Sequence, residues 1–417
     1  MLFLFASCSV AEGIFGEFGG GFTSIPGAHL KGTVDSVTGT ESEDSAESPE
    51  NAIRLPSGMI TAGAFNDNDN YSLWLDQFAQ GEENGKFYNY TLPENSWGYN
   101  SLKRVVVNVM DGENAVAGAR VTANDANGKI LFSAVTDAKG DAYLFTDAES
   151  GTVTVIGDEN SATTEFDCDN RILSVSLDGG VNKLNIIEIM LVVDVTGSMG
   201  DEIHFLKAEL ADVINQIAAN NSGAKIKLSM LFYRDTDDRV PFDCYDFIDV
   251  TDGIGLALQQ ENLNKQYASG GGDYPEAVDE ALDIAVNKQW STGATTKIIF
   301  HVLDAPAHYG DQYAEKLLNA TKTAAEKGIR LCPIICSGAA ESTEYTMREA
   351  AIYTGGTFVF VTNDSGIGDD HYDPKLPNVT VELLNSLMVR LVNGYHIGEF
   401  APPVYWKEDP NLNTIDE

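Results

Sequence analysis

The stretch Asp194-Val195-Thr196-Gly197-Ser198-Met199-Gly200 decides the fold of this 417-residue chain. Residues 184–193 come before it and are almost all apolar or β-branched, which is typical of a strand buried on both faces of a parallel sheet. After it, apolar residues recur at three- and four-residue intervals, which predicts an amphipathic helix. The stretch therefore joins a buried strand to the N-terminus of a helix. The periodic residues are Ile203, Leu206, Leu210, Val213, Ile214 and Ile217.

Oxygen-bearing side chains alternate along this loop. Alternate residues of an extended segment point to the same side, so Asp194, Thr196 and Ser198 can converge on one point beyond the sheet. Carboxylate and hydroxyl oxygens suit a hard cation such as Mg²⁺, which takes oxygen ligands at about 2.0–2.1 Å and keeps several waters. The same residue types also cap helix N-termini. Taken alone, the triplet leaves both interpretations open.

Two further loops carry the same kind of chemistry. Ser269-Gly270-Gly271-Gly272-Asp273-Tyr274-Pro275-Glu276 is a glycine loop that opens a second helix, with Pro275 and Glu276 in its first turn. Asp304 ends a second apolar strand, residues 297–303. In this order and spacing the three loops resemble the von Willebrand factor type A (VWA) domain and its metal-ion-dependent adhesion site, over residues 183–397.

The resemblance implies a set of metal ligands and a kind of partner. It makes Asp194, Thr196, Ser198 and Asp304 ligands of Mg²⁺, or of Mn²⁺ or Ca²⁺, and implies that an acidic group of the partner completes the coordination. Adhesive members of the family carry a threonine where this chain has Asp273, which we include as a ligand. A direct Asp273 bond would tighten metal binding and weaken the attraction for an acidic partner.

The rest of residues 183–397 alternates between strand and helix patterns, which predicts a Rossmann-like α/β fold with a mostly parallel sheet and helices on both faces. Residues 242–251 are expected to form a short antiparallel edge strand. Sheets of this type bind ligands at the carboxyl ends of their strands, where Asp194 and Asp304 would lie on neighbouring strands. The predicted strands are 225–233, 297–303, 330–336 and 357–362, and the predicted helices are 275–290, 312–327 and 379–392.

Residues 102–180 predict a separate all-β, immunoglobulin-like sandwich. Six short β-prone runs are separated by turn signals such as Asn127-Gly128 and Lys139-Gly140. The segments Val116-Ala117-Gly118-Ala119-Arg120-Val121-Thr122 and Thr136-Asp137-Ala138-Lys139-Gly140 resemble the carboxypeptidase-regulatory-like or collagen-adhesin B-type module. That resemblance implies a structural spacer. The six runs are 105–110, 119–123, 129–135, 142–146, 152–156 and 171–177.

The N-terminal third predicts a tether. Residues 1–8 resemble the end of a bacterial lipoprotein signal, in which Cys8 would carry the lipid; a frayed apolar end with a chance cysteine is the alternative. Residues 9–52 are rich in glycine and acidic residues, which is typical of a flexible linker. Residues 53–101 carry many aromatic residues and are expected to pack against a neighbouring domain. We expect residues 398–417 to form a tail and the protein to lie on the bacterial envelope, facing the surface or the periplasm.

Composition excludes several classes of protein. The formal charge of −37, from 26 basic and 63 acidic residues, argues against nucleic acid or an anionic membrane surface as partner. No apolar run approaches the roughly 20 residues that a transmembrane helix needs. The five cysteines give little support to a disulfide framework, and Cys332 and Cys336 are expected to be core residues.

Three classes of function fit these patterns. The first, which we favour, is a non-enzymatic binding domain whose cation holds an acidic group of a protein, matrix or polysaccharide partner. The second is a Mg²⁺-dependent hydrolase or phosphotransferase, although the chain has no Gly-x-x-x-x-Gly-Lys phosphate loop. His308, four residues after Asp304, is the best candidate base there, and closing the Ala305-Pro306 turn is its alternative role. The third is a structural surface protein with a purely stabilising metal.

Overall fold

The computed structural model of the protein describes residues 60–81, 84–272, 274–365 and 373–414, all within one compact unit, Ile53–Glu417. The predictions for residues 1–52, including Cys8, lie outside the described residues. In the described part the helices are α1 (Tyr71–Asp76), α2 (Gly200–Asn220), α3 (Ile254–Asn264), α4 (Val278–Val286), α5 (Asp311–Lys327), α6 (Glu341–Thr354) and α7 (Leu384–Ile397). The strands are β1 (Thr61–Phe65), β2 (Arg104–Asp111), β3 (Asn114–Ala115), β4 (Arg120–Asn124), β5 (Ile130–Val135), β6 (Asp141–Phe145), β7 (Gly151–Ile156), β8 (Ser161–Phe166), β9 (Ile172–Ser176), β10 (Lys183–Asp194), β11 (Lys225–Tyr233), β12 (Phe242–Asp249), β13 (Ala294–Leu303), β14 (Ile329–Ile335), β15 (Phe358–Val361) and β16 (Glu382–Leu383).

An eight-stranded sheet in the order β12-β11-β10-β13-β14-β15-β1-β16 forms the centre of the fold. Five neighbouring strands, β11, β10, β13, β14 and β15, run parallel to one another. Strand β12 pairs antiparallel with β11, and β1 pairs antiparallel with β15. The predicted mostly parallel sheet is therefore confirmed, and so is the antiparallel edge strand. The chain leaves β10 first toward β11 and later returns to β13 on the other side. The order of the strands thus reverses between β10 and β13, the place where such sheets bind ligands.

Helices cover both faces of this sheet, as predicted. Met190 and Val192 point into an apolar cluster that includes residues of α4, α5 and α6. Ile189, Leu191 and Val193 point the other way, into a cluster built with α2, α3 and α7. Successive side chains of a strand face opposite sides, so an uninterrupted apolar run is what a sheet buried on both faces requires.

The structure differs from the predicted division of the chain at residues 53–101. This segment does pack on a neighbour, but it also contributes β1, which lies between β15 and β16 in the large sheet. Its sequence, Thr-Ala-Gly-Ala-Phe, has little β-propensity, and Gly63 leaves room for the Phe360 ring, which would lie 2.6 Å from an added Cβ. Strand β1 pairs with residues that lie almost 300 positions later in the chain, so the sequence around β1 gives no sign of this pairing.

Within residues 183–397, two helices went unpredicted and two begin later than predicted; one of the latter is α7, which begins at Leu384 and not at residue 379. Every residue of α6 from Ser342 to Thr354 is buried, polar residues such as Thr343 and Glu349 included, so no solvent-facing side gives the helix an amphipathic period. The short helix α3 was also missed. Helix α4 begins at Val278, which leaves Pro275 and Glu276 in the loop before it and not in the first turn.

Residues 104–176 contain strands and no helix. They form two four-stranded sheets: β2 pairs with β3, β6 and β9, and the second sheet has the order β5-β4-β7-β8. Inward residues of both, such as Val107, Val121, Leu144 and Val153, join the apolar cluster that also contains α5 and α6. All six predicted strands are present, and β3 and β8 are additional. Membership of an immunoglobulin-like or adhesin B-type family stays a prediction.

A buried ion cluster ties the N-terminal segment to α6. The Arg348 guanidinium donates to both Asp67 oxygens, at 2.9 and 2.5 Å, and to Glu344 Oε1 at 2.9 Å. Its side chain is 1% exposed and lies 5.0 Å from the centre of the Trp74 ring. Lys86 pairs with the same Glu344 carboxylate. The charges compensate one another, because a buried ion without a partner is costly.

The four described cysteines form no disulfide. Cys332 and Cys336 are buried in the core, as expected, and Cys168 and Cys244 are exposed. Within the described ranges, no helix has both the length and the apolar character needed to cross a membrane.

We expect Arg348→Met to destabilise the protein by about 3–5 kcal/mol, because it leaves Asp67 and Glu344 buried without their shared counter-ion. Urea unfolding of the variant and the wild type measures this difference. Lys265→Met is the control, since Lys265 pairs with Glu261 at the exposed surface and should change little. Equal free energies of unfolding for the Arg348 variant and the wild type would contradict a stabilising role for the cluster.

Candidate metal site

Asp194 and Asp304 lie together at one edge of the large sheet. Asp194 is the last residue of β10, and Asp304 directly follows β13, its parallel neighbour. The prediction that they occupy neighbouring strands is confirmed. Asp194 is fully buried, and its Oδ1 accepts hydrogen bonds from the Thr196 N–H at 2.8 Å and from Thr196 Oγ1 at 2.7 Å. Its Oδ2 has no hydrogen-bond partner.

The other oxygen-bearing residues of the first loop lie near the same edge of the sheet. Ser198 is exposed and lies near Asp304, which is 5% exposed; burial raises the pKa of Asp304, and the nearby Ser198 hydroxyl lowers it in part. The Tyr274 hydroxyl donates to the Gly338 carbonyl at 3.1 Å, and its oxygen lies 3.4 Å from the Asp304 carbonyl oxygen. Asp194, Thr196, Ser198 and Asp304 are thus brought together by the fold.

Backbone contacts bring the glycine loop over the first loop. The Ser269 N–H donates to the Val195 carbonyl at 3.0 Å, and the Gly197 N–H donates to the Gly270 carbonyl at 3.3 Å. Between them lies an open cleft of about 540 Å³. We call it the acidic cleft. It is lined by Thr196, Gly197, Ser198, Gly270, Gly271, Gly272, Tyr274, Glu276, Asp304, Ala305, Ser337 and Gly338. The predicted ligand Asp273 lies outside the described residues.

The fold adds two carboxylates that sequence reasoning did not assign to the site. Glu276 lines the acidic cleft, is 4% exposed, and its Oε2 has no partner. Its N–H donates to the Pro306 carbonyl, which holds the residue beside the loop that follows β13. Glu202, in the first turn of α2, is 3% exposed and also has a free Oε2. The sequence signal for Glu276 was its position directly before the apolar run of α4. From the sequence, this position predicts an acidic residue that stabilises the N-terminus of a helix and not one that lines the cleft.

Burial and mutual repulsion raise the pKa values of these acids. Burial first, and then the Asp304 charge, raises the pKa of Asp194 to about 7. Burial, followed by Asp194 and other nearby carboxylates, raises the pKa of Glu276 to about 9. The pKa of Glu202 is raised to about 7, mainly by burial. Negative charge at this edge of the sheet is therefore unfavourable unless a cation compensates it.

The histidines near this edge have other partners. His308 Nε2 lies 2.7 Å from Asp235 Oδ1, so its ring pairs with that carboxylate in place of the turn closure considered from the sequence. Burial raises the pKa of Asp235, but hydrogen bonds from His308 and Thr236 outweigh it and hold the pKa below its usual value. His301 is buried against the Tyr233 hydroxyl at 3.1 Å, and burial lowers its pKa to about 3.

The donor set at the acidic cleft consists of carboxylates and hydroxyls. In the part of the chain that the structure describes, no three His, Cys, Asp or Glu side chains are grouped as ligands of one metal ion. The candidate donors are instead the two aspartates Asp194 and Asp304 with the hydroxyls of Thr196 and Ser198, and Glu276 lines the cleft beside Asp304. All are hard oxygen donors, which fit Mg²⁺ better than a soft metal.

Gly271 is needed for the close approach of the two loops. Its φ is 74°, and an added Cβ would lie 2.7 Å from Glu276 Oε1 and 3.1 Å from Thr196 Cβ. We expect Gly271→Ala to destabilise the protein by about 1–3 kcal/mol, because it combines backbone strain with this clash. Gly272→Ala is the matched control, since an added Cβ there meets nothing within 4 Å. Equal melting temperatures for the two variants would contradict the tight packing of the loops.

Comparison with known proteins matches the α/β part of the chain. The family model of the von Willebrand factor A domain covers residues 188–362. Alpha-protein kinase vwkA of Dictyostelium discoideum is 25% identical over 127 residues, 30% of this chain and 19% of that protein. The putative ariadne-like RING finger protein R811 of Acanthamoeba polyphaga mimivirus is 25% identical over 227 residues, 49% of this chain and 20% of that protein. The chain spans about a fifth of the length of these curated relatives.

Solved structures give weaker likenesses. BatB from Bacteroides thetaiotaomicron is 16% identical, with a TM-score of 0.30, over 43% of this chain and 93% of its own. The pilus adhesin SpaC from Lactobacillus rhamnosus GG, in its open conformation, is 12% identical with a TM-score of 0.35, over 69% of this chain and 34% of its own. The match to the von Willebrand factor A domain model is confined to residues 188–362, and the parallel sheet and the loops at its carboxyl edge lie in this part of the chain.

Proposed function

We propose that the VWA domain binds a divalent cation of the Mg²⁺ type in the acidic cleft and uses it to hold an acidic group of a protein or polysaccharide partner. The ligands in this proposal are Asp194, Thr196, Ser198 and Asp304, together with Asp273, whose assignment rests on the sequence alone. Mn²⁺ or Ca²⁺ would use the same oxygens. The partner's carboxylate would complete the coordination at the open side of the cleft.

The unpartnered Oδ2 of Asp194 is the observation that carries the proposal. Buried carboxylate oxygens in folded proteins almost always have a hydrogen-bond partner or a cation, because an unsatisfied one is costly. Asp194 is 0% exposed, yet only its Oδ1 is bonded. A cation beside Oδ2 would satisfy this oxygen and offset the repulsion between Asp194 and Asp304. The open cleft leaves room for waters and for one ligand from outside.

We propose binding without catalysis. A hydrolase would need a base within reach of a nucleophile or an activated water in the cleft. His308 is engaged by Asp235 and does not line the acidic cleft, and His301 is buried inside the sheet. These placements favour adhesion over the hydrolase alternative. If the metal were purely stabilising, as in the structural alternative, no partner would depend on it.

We further propose that the protein is displayed on a bacterial envelope, with Cys8 as a lipid attachment site. This part rests on the sequence of the first eight residues and on the acidic, glycine-rich stretch after them. The strongly acidic chain suits an exposed, soluble module better than one that contacts anionic lipid directly.

Asp194→Asn should abolish saturable Mg²⁺ and Mn²⁺ binding, because it keeps the shape of the side chain and removes its charge. Isothermal titration calorimetry of both metals into the metal-free protein measures this. Asp212→Asn, on the exposed side of α2, is the control with the same loss of charge and should bind like the wild type. Unchanged metal affinity in the Asp194 variant would refute the assignment of this site.

The stability of the metal-free protein should fall as pH rises from 6 to 9. Asp194 and Glu276 have pKa values of about 7 and 9 when folded and ordinary values near 4 when unfolded, so the folded state holds protons that the unfolded state has released. This stabilisation is complete only below the unfolded pKa values near 4, and it is lost progressively as pH rises through the folded pKa of each acid.

Saturating Mg²⁺ should reduce this loss of stability between pH 6 and 9, since the cation compensates the negative charges as the acids ionise. Melting temperatures measured from pH 6 to 9, with EDTA or with Mg²⁺, test this. Glu349 has a pKa of about 8 in the distant core and contributes a slope of the same sign that should not respond to Mg²⁺. Identical slopes in both buffers would argue against a cation at Asp194 and Glu276.

A further inference from the structure

A second cavity opens at the opposite edge of the large sheet, where the parallel strands begin. Its volume is about 510 Å³, and it lies between that edge and the loops before β4 and after β5. We call it the basic cleft. Six cationic side chains line it against two acidic ones, Asp137 and Glu326, although the whole chain has only 26 basic residues and a charge of −37. The six are Arg120, Lys183, Lys288, Lys297, Lys327 and Arg330.

Four of these cations bind carbonyl groups at helix C-termini. Lys297 Nζ donates to the Lys327 carbonyl of α5 at 3.1 Å, and Lys327 Nζ donates to the Val286 carbonyl of α4 at 2.8 Å. Arg330 donates to the Thr354 carbonyl of α6 at 2.6 Å, and Lys183 to the His396 carbonyl of α7. These helices run back against the parallel strands, so their negative dipole ends meet at this edge.

The helix ends do not balance the positive charge. Each helix C-terminus carries the equivalent of about half a negative charge, so four ends offset only about two of the four cations that bind them. An ammonium group also has three N–H donors. In the described structure the Nζ atoms of Lys183 and Lys297 each donate to one carbonyl, which leaves donors for another acceptor.

Two of the cations are deeply buried without a carboxylate partner. Lys297 and Arg330 are 8% and 9% exposed, and neither forms an ion pair with a described residue. Lys288 pairs with Asp246, which lies outside the cleft. Arg120 is exposed at the rim. Buried charges in proteins are normally paired, so a cavity with two buried cations that lack an ion-pair partner favours an anion from outside.

The remaining walls suit a small molecule. Trp290, Val135 and Tyr395 supply apolar surface, and Thr136 and Ser291 supply hydroxyl groups. The volume falls within the roughly 300–1,000 Å³ that is typical of small-molecule sites. The Arg330 guanidinium also reaches the Val135 carbonyl at 3.2 Å, so the cleft lies directly at the contact between β5 and the VWA sheet.

We infer that the basic cleft binds a small oxyanion with at least two negative charges, carried by phosphate or carboxylate groups. Its oxygens would accept hydrogen bonds from Lys183, Lys297 and Arg120 and replace the missing counter-ions. This site is separate from the acidic cleft, which repels anions unless a cation occupies it, and it does not depend on the proposed cation.

Calorimetric titration with pyrophosphate and with citrate tests this inference. Both titrations are carried out on the full chain at constant ionic strength with EDTA present, which prevents metal-bridged binding at the acidic cleft. We expect saturable binding that weakens as NaCl is raised, because salt screens the attraction. The tighter of the two probes then distinguishes a phosphate-bearing from a carboxylate-bearing ligand.

Substitutions at the cleft provide the control. Arg120→Ala combined with Lys297→Met should weaken anion binding at least tenfold. The single Arg120→Ala variant should weaken binding severalfold. Because Arg120 is exposed, this variant should fold normally, which separates a loss of binding from a folding defect. Lys129→Ala removes an exposed charge from the same β-rich region outside the cleft and should bind like the wild type. Absence of saturable binding of both probes, or equal affinity in the Arg120 variants and the wild type, would overturn the inference.

Discussion

Parallel pairing of β10 with β13 is the constraint on which the rest of the structure depends. Because the two strands run in the same direction, Asp194 and Asp304 emerge at one edge of the sheet. Because each connecting helix must return to the start of the next strand, the helices begin near that edge and end near the other. The direction of the strands therefore decides where carboxylates, helix N-termini and helix C-termini gather.

The two edges carry opposite charge as a result. Buried carboxylates with raised pKa values lie at the carboxyl edge, and three of them, Asp194, Glu202 and Glu276, keep an oxygen without a partner. Lysines and an arginine lie at the opposite edge, against the last carbonyls of α4 to α7. Unpaired charge of this kind costs folding free energy. A bound cation at one edge and a bound anion at the other would each lower that cost, so the same polarity accounts for both proposed sites.

The sequence predicted what depends on local pattern and missed what depends on distant partners. The strand 225–233 was predicted to the residue, because a buried parallel strand is an uninterrupted apolar run. The placement of Asp194 and Asp304 on neighbouring strands was predicted because each stands at the end of an apolar run. The helix α6 was missed because burial on all sides removes its periodicity, and β1 because its partners are distant. Glu276 was predicted as a residue of the first helical turn and not as a residue of the cleft, because its place there depends on the hydrogen bond of its N–H to the Pro306 carbonyl.

The most direct test of the account is a crystal structure of the protein soaked in Mn²⁺, with an anomalous difference map to locate the metal. We expect one strong peak in the acidic cleft, from a metal held by Asp194 and Asp304, directly or through water, and by the hydroxyls of Thr196 and Ser198. Manganese bound only elsewhere on the acidic surface, with Asp194 Oδ2 still without a partner, would contradict it.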